Sequence, residues 1–148
     1  MKDLYKTLNE IIEFGEKSLP GKEETAIRFM SLLSAIQHYF YVTPDQYDDL
    51  HYSDPPSFDM KKIKKHTNHN FPEFGKYNRI LDVTEKKCKP ETGNANDDIA
   101  NVLSTLMTVK WFFDKTSKKN GAYHFKNLFK DHLGNSIADI LKYGINMN

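Results

Sequence analysis

The sequence predicts an all-α fold, an up-and-down bundle of about four long helices with one or two short helical insertions, and three observations carry that expectation. Apolar residues recur every three or four positions in four long stretches, the spacing that lines one face of a helix. No stretch shows the strict alternation of a half-buried strand. Pro20-Gly21, Pro44 and Pro55-Pro56 fall between the periodic stretches, where proline disfavours helix in the residue before it.

The first helix is expected from about Asp3 to Lys17, with Leu4, Leu8, Ile11 and Ile12 on one face and Asp3 able to cap it. Ser18-Leu19-Pro20-Gly21 ends it. The second, from about Lys22 to Tyr41, carries Ala26, Phe29, Met30, Leu33, Ile36 and Phe40 in one stripe, and Glu23 and Glu24 suit the positive end of its dipole. Thr43-Pro44 closes it, and the acidic, aromatic segment from Asp45 to Pro56 reads as a loop. Ser57 is expected to cap a third helix reaching about His69, with only Phe58, Met60 and Ile63 to offer a core. Phe71-Pro72 then opens a short helix bearing Phe74, Tyr77, Ile80 and Leu81.

The two strongest helices come last. Asn94 or Asn96 caps a helix running to about Lys115, with Ile99, Val102, Leu103, Leu106, Val109 and Phe113 at helical spacing and Asp97 and Asp98 at its start. After a turn at Ser117 to Gly121, the stripe Phe125, Leu128, Phe129, His132, Leu133, Ser136, Ile137, Ile140 and Leu141 runs to a stop at Gly144. Short turns after the first and fifth helices favour antiparallel neighbours.

A chain of 148 residues, 39% hydrophobic and 28% charged, suits one helical domain over residues 1–148 rather than a disordered tail. No apolar leader is expected in Met1 to Lys6, and the longest uncharged stretch, Phe29 to Pro44, is too short and too polar to span a bilayer. A lone Cys88 makes no internal disulfide, so a reducing, cytoplasmic setting without membrane is expected. The net charge of +1 argues against general nucleic-acid binding, yet it hides an asymmetry: residues 1–59 sum to −6 and residues 60–148 to +7. Either the two halves attract each other, or a basic face meets an anionic partner.

Catalytic signatures are missing where their spacing can be checked. The chain has no glycine-rich phosphate loop, no Gly-x-Ser-x-Gly elbow, no Cys-x-x-Cys pair and no Glu-x-x-His motif for a di-iron bundle. No cofactor is expected. His132 interrupts the apolar stripe of the last helix, so it is either a core histidine bonded to a neighbour or a ligand and proton carrier. Asp97, Asp98 and Asn101 are its candidate partners in a polar seam, although paired acids at a helix start also simply complement the dipole. Lys61, Lys62, Lys64 and Lys65 form a candidate anion-facing patch, which Lys118, Lys119, Lys126 and Lys130 would strengthen if they converge. The same lysines would repel a metal from His66 and His69. Flanking Lys87 and Lys89 favour the Cys88 thiolate, without a base nearby in sequence. Trp111, Phe112 and Phe113 are consecutive, so they cannot share one helix face.

Three segments, Tyr77-Asn-Arg-Ile-Leu-Asp82, Asp97-Asp-Ile-Ala-Asn101 and Tyr123-x-Phe-Lys-x-x-Phe129-x-x-His132-x-Gly134, resemble a bacterial family of small helical proteins, domain of unknown function 5063. The resemblance covers the last half of the chain and implies no activity. The family pattern ends in His-Trp-Gly-x-His, whereas here Leu133 and Ser136 replace the tryptophan and second histidine. The i,i+4 histidine pair that would suit a metal clamp is therefore lost.

The leading expectation is a non-enzymatic module that binds a protein partner. Two others stand beside it: a small metal- or acid/base-dependent enzyme built around His132 and Asp97/Asp98, and weak nucleic-acid association through the basic second half.

Overall fold

The computed structural model describes residues 2–79, 84 and 91–146. Its elements are α1 (Lys2–Glu16), α2 (Lys22–Val42), α3 (Met60–Asn70), β1 (Lys76–Arg79), β2 (Glu91–Asn94), α4 (Ala95–Lys115), α5 (Lys118–Leu128), a π-helical turn (Phe129–Leu133) and α6 (Gly134–Asn146). The last three run on without a break and make the fourth long helix. The protein is an all-α bundle with one two-stranded ribbon.

Neighbouring long helices are antiparallel. Tyr5 bonds Asp114 while Gly15 lies against Leu103 and Met107, which sets α1 against α4. Phe40 stacks on Phe129 while Met30 lies against Gly144, which sets α2 against the π-helical turn and α6. Between α2 and α4 the chain returns along α1 and α4 through α3. One contiguous core results, drawing Leu8, Ile11, Leu33, Ile36, Leu103, Leu106, Ile137 and Ile140 from all four long helices. At its centre Phe14, Phe29 and Phe71 touch with ring centroids 4.7 to 5.9 Å apart.

The helix starts follow local chemistry. Asp59 accepts from the backbone of Lys61 and Lys62, Asn94 from Asn96 and Asp97, and Ser117 from Asn120. The expected cap at Ser57 is thus corrected to Asp59, whose carboxylate reaches two free amides. The expected turn over Ser117 to Gly121 shrinks as well, since Ser117 caps a helix that begins at Lys118.

The ends of α1, α2 and α3 are closed instead by other helices. Neither α1 nor α2 has a basic residue in its last turn to bond its free carbonyls. Asn70, buried at the end of α3, donates to the carbonyls of Phe14 and Lys17, both at 2.9 Å, and accepts from the Leu19 amide at 2.7 Å. Asn96, buried in the first turn of α4, donates to the carbonyls of Thr67 and Phe71 and accepts from the Thr67 hydroxyl. Lys126 on α5 donates to the carbonyls of Phe40 and Thr43 at 2.8 and 2.9 Å, with its ammonium 4.5 Å from the centre of the Phe40 ring.

The ribbon overturns the short helix expected after Phe71. Phe71 caps α3, and Tyr77 lies in β1, paired with Gly93 in an antiparallel register that runs from Lys76↔Asn94 to Arg79↔Glu91. Pro72 and Gly75 keep the segment from continuing α3. The Ala95 amide also bonds the Gly75 carbonyl at 2.8 Å, extending the ladder to the start of α4. A Cβ at Gly93 would stand 2.8 Å from the Tyr77 ring, so any other residue there would push that ring aside. Ile80, Leu81 and Cys88 lie outside the described residues.

Asn70→Ala is expected to lower unfolding free energy by about 3 kcal/mol, because it strips partners from buried backbone groups at both ends of one turn. Urea denaturation checks this against Asn101→Ala, an exposed position whose change should stay within about 0.5 kcal/mol.

Candidate functional site

The expected polar seam does not assemble. His132 is exposed, its side chain retaining 49% of its accessible surface, and its partner among the described residues is the neighbouring Asp131 at 4.0 Å. The cause is the π-helical turn. The Gly134 amide bonds back to the Phe129 carbonyl, five residues earlier, so each residue in this turn advances the helix by less than the roughly 100° of an α-helix. That slower rotation keeps Phe125, Phe129, Leu133 and Ile137, each four apart, facing the core. It also carries His132 off the stripe into solvent. Gly134 permits the turn to close, since a Cβ there would stand 2.6 Å from the Phe129 ring.

Asp98 is buried and receives a hydrogen bond from the Tyr77 hydroxyl. Tyr77 also packs edge-on against Tyr143, at 5.8 Å between centroids. Asp98 thus lies beside the ribbon among Tyr77 and Tyr143, whereas His132 stands eleven residues before Tyr143 on the fourth long helix and faces solvent. Asp97 is exposed with Lys64 at 3.9 Å, and Asn101 is exposed. Asp97 and Asn101 therefore face solvent while Asp98 anchors the ribbon. Among the described residues, no group of three His, Cys, Asp or Glu side chains is placed to hold a metal ion.

Lys61, Lys62, Lys64 and Lys65 are exposed on α3, but Lys126 and Lys130 are held elsewhere. Lys126 is occupied at the end of α2, and Lys130 lies 3.9 Å from Asp45. Hydrogen bonds from Ser117, the Leu50 amide and Tyr52 hold the Asp48 carboxyl below its ordinary range. His66 turns to Ser18, 3.2 Å away. Of the three consecutive aromatics, Phe112 is buried against His124 in a parallel stack at 3.7 Å, and Phe113 packs edge-on against Tyr5. Burial pushes the His124 imidazole below the ordinary histidine value.

The structure instead opens a groove that sequence reasoning missed. Its volume is about 750 Å³, and it lies between the first half of α2 and the last turns of α6. Phe71, Pro72 and Phe74 line it between those walls. Lys22, Glu23, Ala26, Ile27, Met30, Ser31 and Ser34 form the α2 wall, and Leu141, Gly144 and Ile145 the α6 wall. From Lys22 to Ser34 the α2 wall is about 18 Å long, the length of about three helical turns. Its polar groups are partly satisfied within the fold: Asn70 caps α1, and the Ser34 hydroxyl bonds the Met30 carbonyl. Ile27 and Ile145 keep 64% and 73% of their surface. The available sequence signal was Ile27, an apolar residue beside Lys22, Glu23, Glu24 and Arg28 on the polar side of α2.

No family model matches the chain, and no curated protein sequence matches it. Among solved structures, protein BF1032 from Bacteroides fragilis is similar, with a TM-score of 0.75 at 11% identity over 99% of this chain and 90% of that one. At that identity the likeness shows the fold alone.

Two outcomes are expected. His132→Ala should change stability by less than about 0.5 kcal/mol in thermal unfolding, as for an exposed side chain with only a 4.0 Å approach to its neighbour Asp131. For His124 the folded state resists protonation, so the unfolded chain takes up the proton first and stability falls as pH drops below about 6.5. The loss levels off below the lowered folded value. Melting temperatures from pH 8 to 5 should therefore decline less in His124→Phe, which keeps the stack and removes the titration.

Proposed function

We propose that the protein is a non-catalytic, cytoplasmic binding module that receives the apolar face of a helix from a partner protein in the groove between α2 and α6. The observation that carries this reading is the pair Ile27 and Ile145, left largely in solvent beside an apolar channel about three turns long. Large apolar side chains gathered at a concave surface mark interaction sites more often than scattered ones do. A helix laid between two helices presents anchors at i, i+3 or i+4 and i+7, which matches both the length of the channel and its lining. Lys22, Glu23 and Glu73 border the apolar surface with charges of both signs, as expected of a polar rim.

The enzyme reading is less favoured, since His132 is exposed beside Asp131 while Asp98 is buried against Tyr77. Nucleic-acid association loses its cooperating lysines. Among the described residues no helix is long and apolar enough to cross a membrane, and the lone Cys88 suits the cytoplasm. Membership of the family with domain of unknown function 5063 belongs to the same proposal and rests on the motifs alone.

The test uses Ile27→Glu/Ile145→Glu, two exposed positions that leave the core intact. A protein captured from lysate by the unaltered chain should be lost by this variant and kept by Lys61→Glu/Lys64→Glu, with circular dichroism unchanged in both. Equal capture by the groove variant, or small-molecule turnover without any captured protein, overturns the reading.

A further inference from the structure

The residues that connect α2 to α3, 43–59, have no regular secondary structure, yet they are held against α5 at several points. Irregular segments longer than about 12–15 residues are uncommon in compact domains and are usually either functional or simple linkers. Thr43 accepts from Lys126, Tyr47 meets Tyr123 edge-on at 5.5 Å, and Asp48 accepts from Ser117. Between this strap and α5 lies a cleft of about 370 Å³. It sits at the lower end of the roughly 300–1,000 Å³ that small ligands occupy.

Its lining is unlike that of the apolar groove. Lys126 on α5 and Lys130 in the π-helical turn stand side by side on the fourth long helix, and the Asp45 carboxylate lies 3.7 and 3.9 Å from their ammonium groups. Those distances exceed the roughly 2.7–3.2 Å of a hydrogen bond, so the pair is attracted without being bonded. Asp45 also keeps 78% of its side-chain surface, which makes it a loosely held counter-charge. A phosphate, with three strong acceptor oxygens, would satisfy the same cations through charge-assisted bonds. Beside them Tyr47 is 70% exposed and its ring meets Tyr123, which leaves aromatic surface open to a planar group. Gln46 and Asn127 complete the lining with amides that can both donate and accept.

We propose that this cleft binds a mononucleotide, with its phosphate on Lys130 and Lys126 in place of the Asp45 carboxylate and its base against Tyr47 and Tyr123. The volume suits one nucleotide rather than a dinucleotide. Lys126 contributes charge while it continues to cap α2. Lys130, 57% exposed, is the adaptable contact. This site is separate from the groove and stands or falls independently of it.

Calorimetric titration with adenosine monophosphate, adenosine and inorganic phosphate tests the proposal on the full chain. The nucleotide should bind saturably at one site, and adenosine and phosphate each more weakly. Lys130→Glu, with Lys130→Met as the milder variant, should weaken nucleotide binding by about tenfold or more, and Tyr123→Ala by about fivefold. Asp45→Asn should strengthen it by about threefold or more, because the competing carboxylate charge is gone. Three results each overturn the proposal: no saturable nucleotide binding by either the unaltered chain or Asp45→Asn, binding undiminished in both Lys130 variants, or phosphate alone binding as tightly as the nucleotide.

Discussion

The bundle depends on a set of side-chain amides and one ammonium that close helix ends from a neighbouring element. A helix leaves its last four carbonyls without partners in the helix, and a buried carbonyl without a partner costs about as much as a lost hydrogen bond. Asn70 meets that need for α1, Asn96 for α3 and Lys126 for α2. Each bond joins a helix end to an element distant in sequence, so forming it fixes both a terminus and a packing register. Asn70 and Asn96 lie close to the Phe14, Phe29 and Phe71 cluster, where apolar burial and polar closure reinforce each other.

Two further features of the fold follow from packing against this frame. The ribbon of β1 and β2 pairs backbone groups just before α4, and the Tyr77 to Asp98 bond ties it to that helix. Tyr143 holds the other side, donating to the Glu73 carbonyl and accepting from the Gly75 amide, both at 3.0 Å. The π-helical turn serves the fourth long helix in a different way. It keeps a stripe with a spacing of four facing one direction, where an uninterrupted α-helix would wind it gradually around the axis.

The two concave surfaces differ in chemistry as well as position. The groove beside α2 and α6 is apolar with a charged border, and suits a partner helix. The cleft beside α5 is lined by lysines, tyrosines and amides, and suits a small anion bearing a ring. Both take one wall from α2 or the strap that follows it, and the other from the fourth long helix. Protein BF1032 shares this fold at 11% identity, so the fold by itself assigns no function. Function on such a scaffold belongs to the surfaces.

The all-α class, the four long helices and most of the core were legible in the sequence, because helical periodicity and capping residues act over four to seven neighbouring positions. Asn94 and the faces led by Leu8, Phe29 and Leu103 needed only that local information. The ribbon was not legible, since KYNR and ETGN lack alternation and pair through backbone groups about fifteen residues apart. The exposure of His132 was also out of reach, because one i→i+5 bond and the absence of a Cβ at Gly134 shift its phase. The groove and the cleft lie further still from local pattern. Ile27 and Ile145 come to line one groove, and Asp45 comes near Lys130, only after distant segments pack. By itself, then, the sequence determined which segments are helical and which faces they bury, whereas tertiary structure decided which polar residues close the fold and which side chains stay free for a partner. The physical reason is that helices form from local spacing, while hydrogen-bond partners and concave surfaces arise from the relative placement of whole helices.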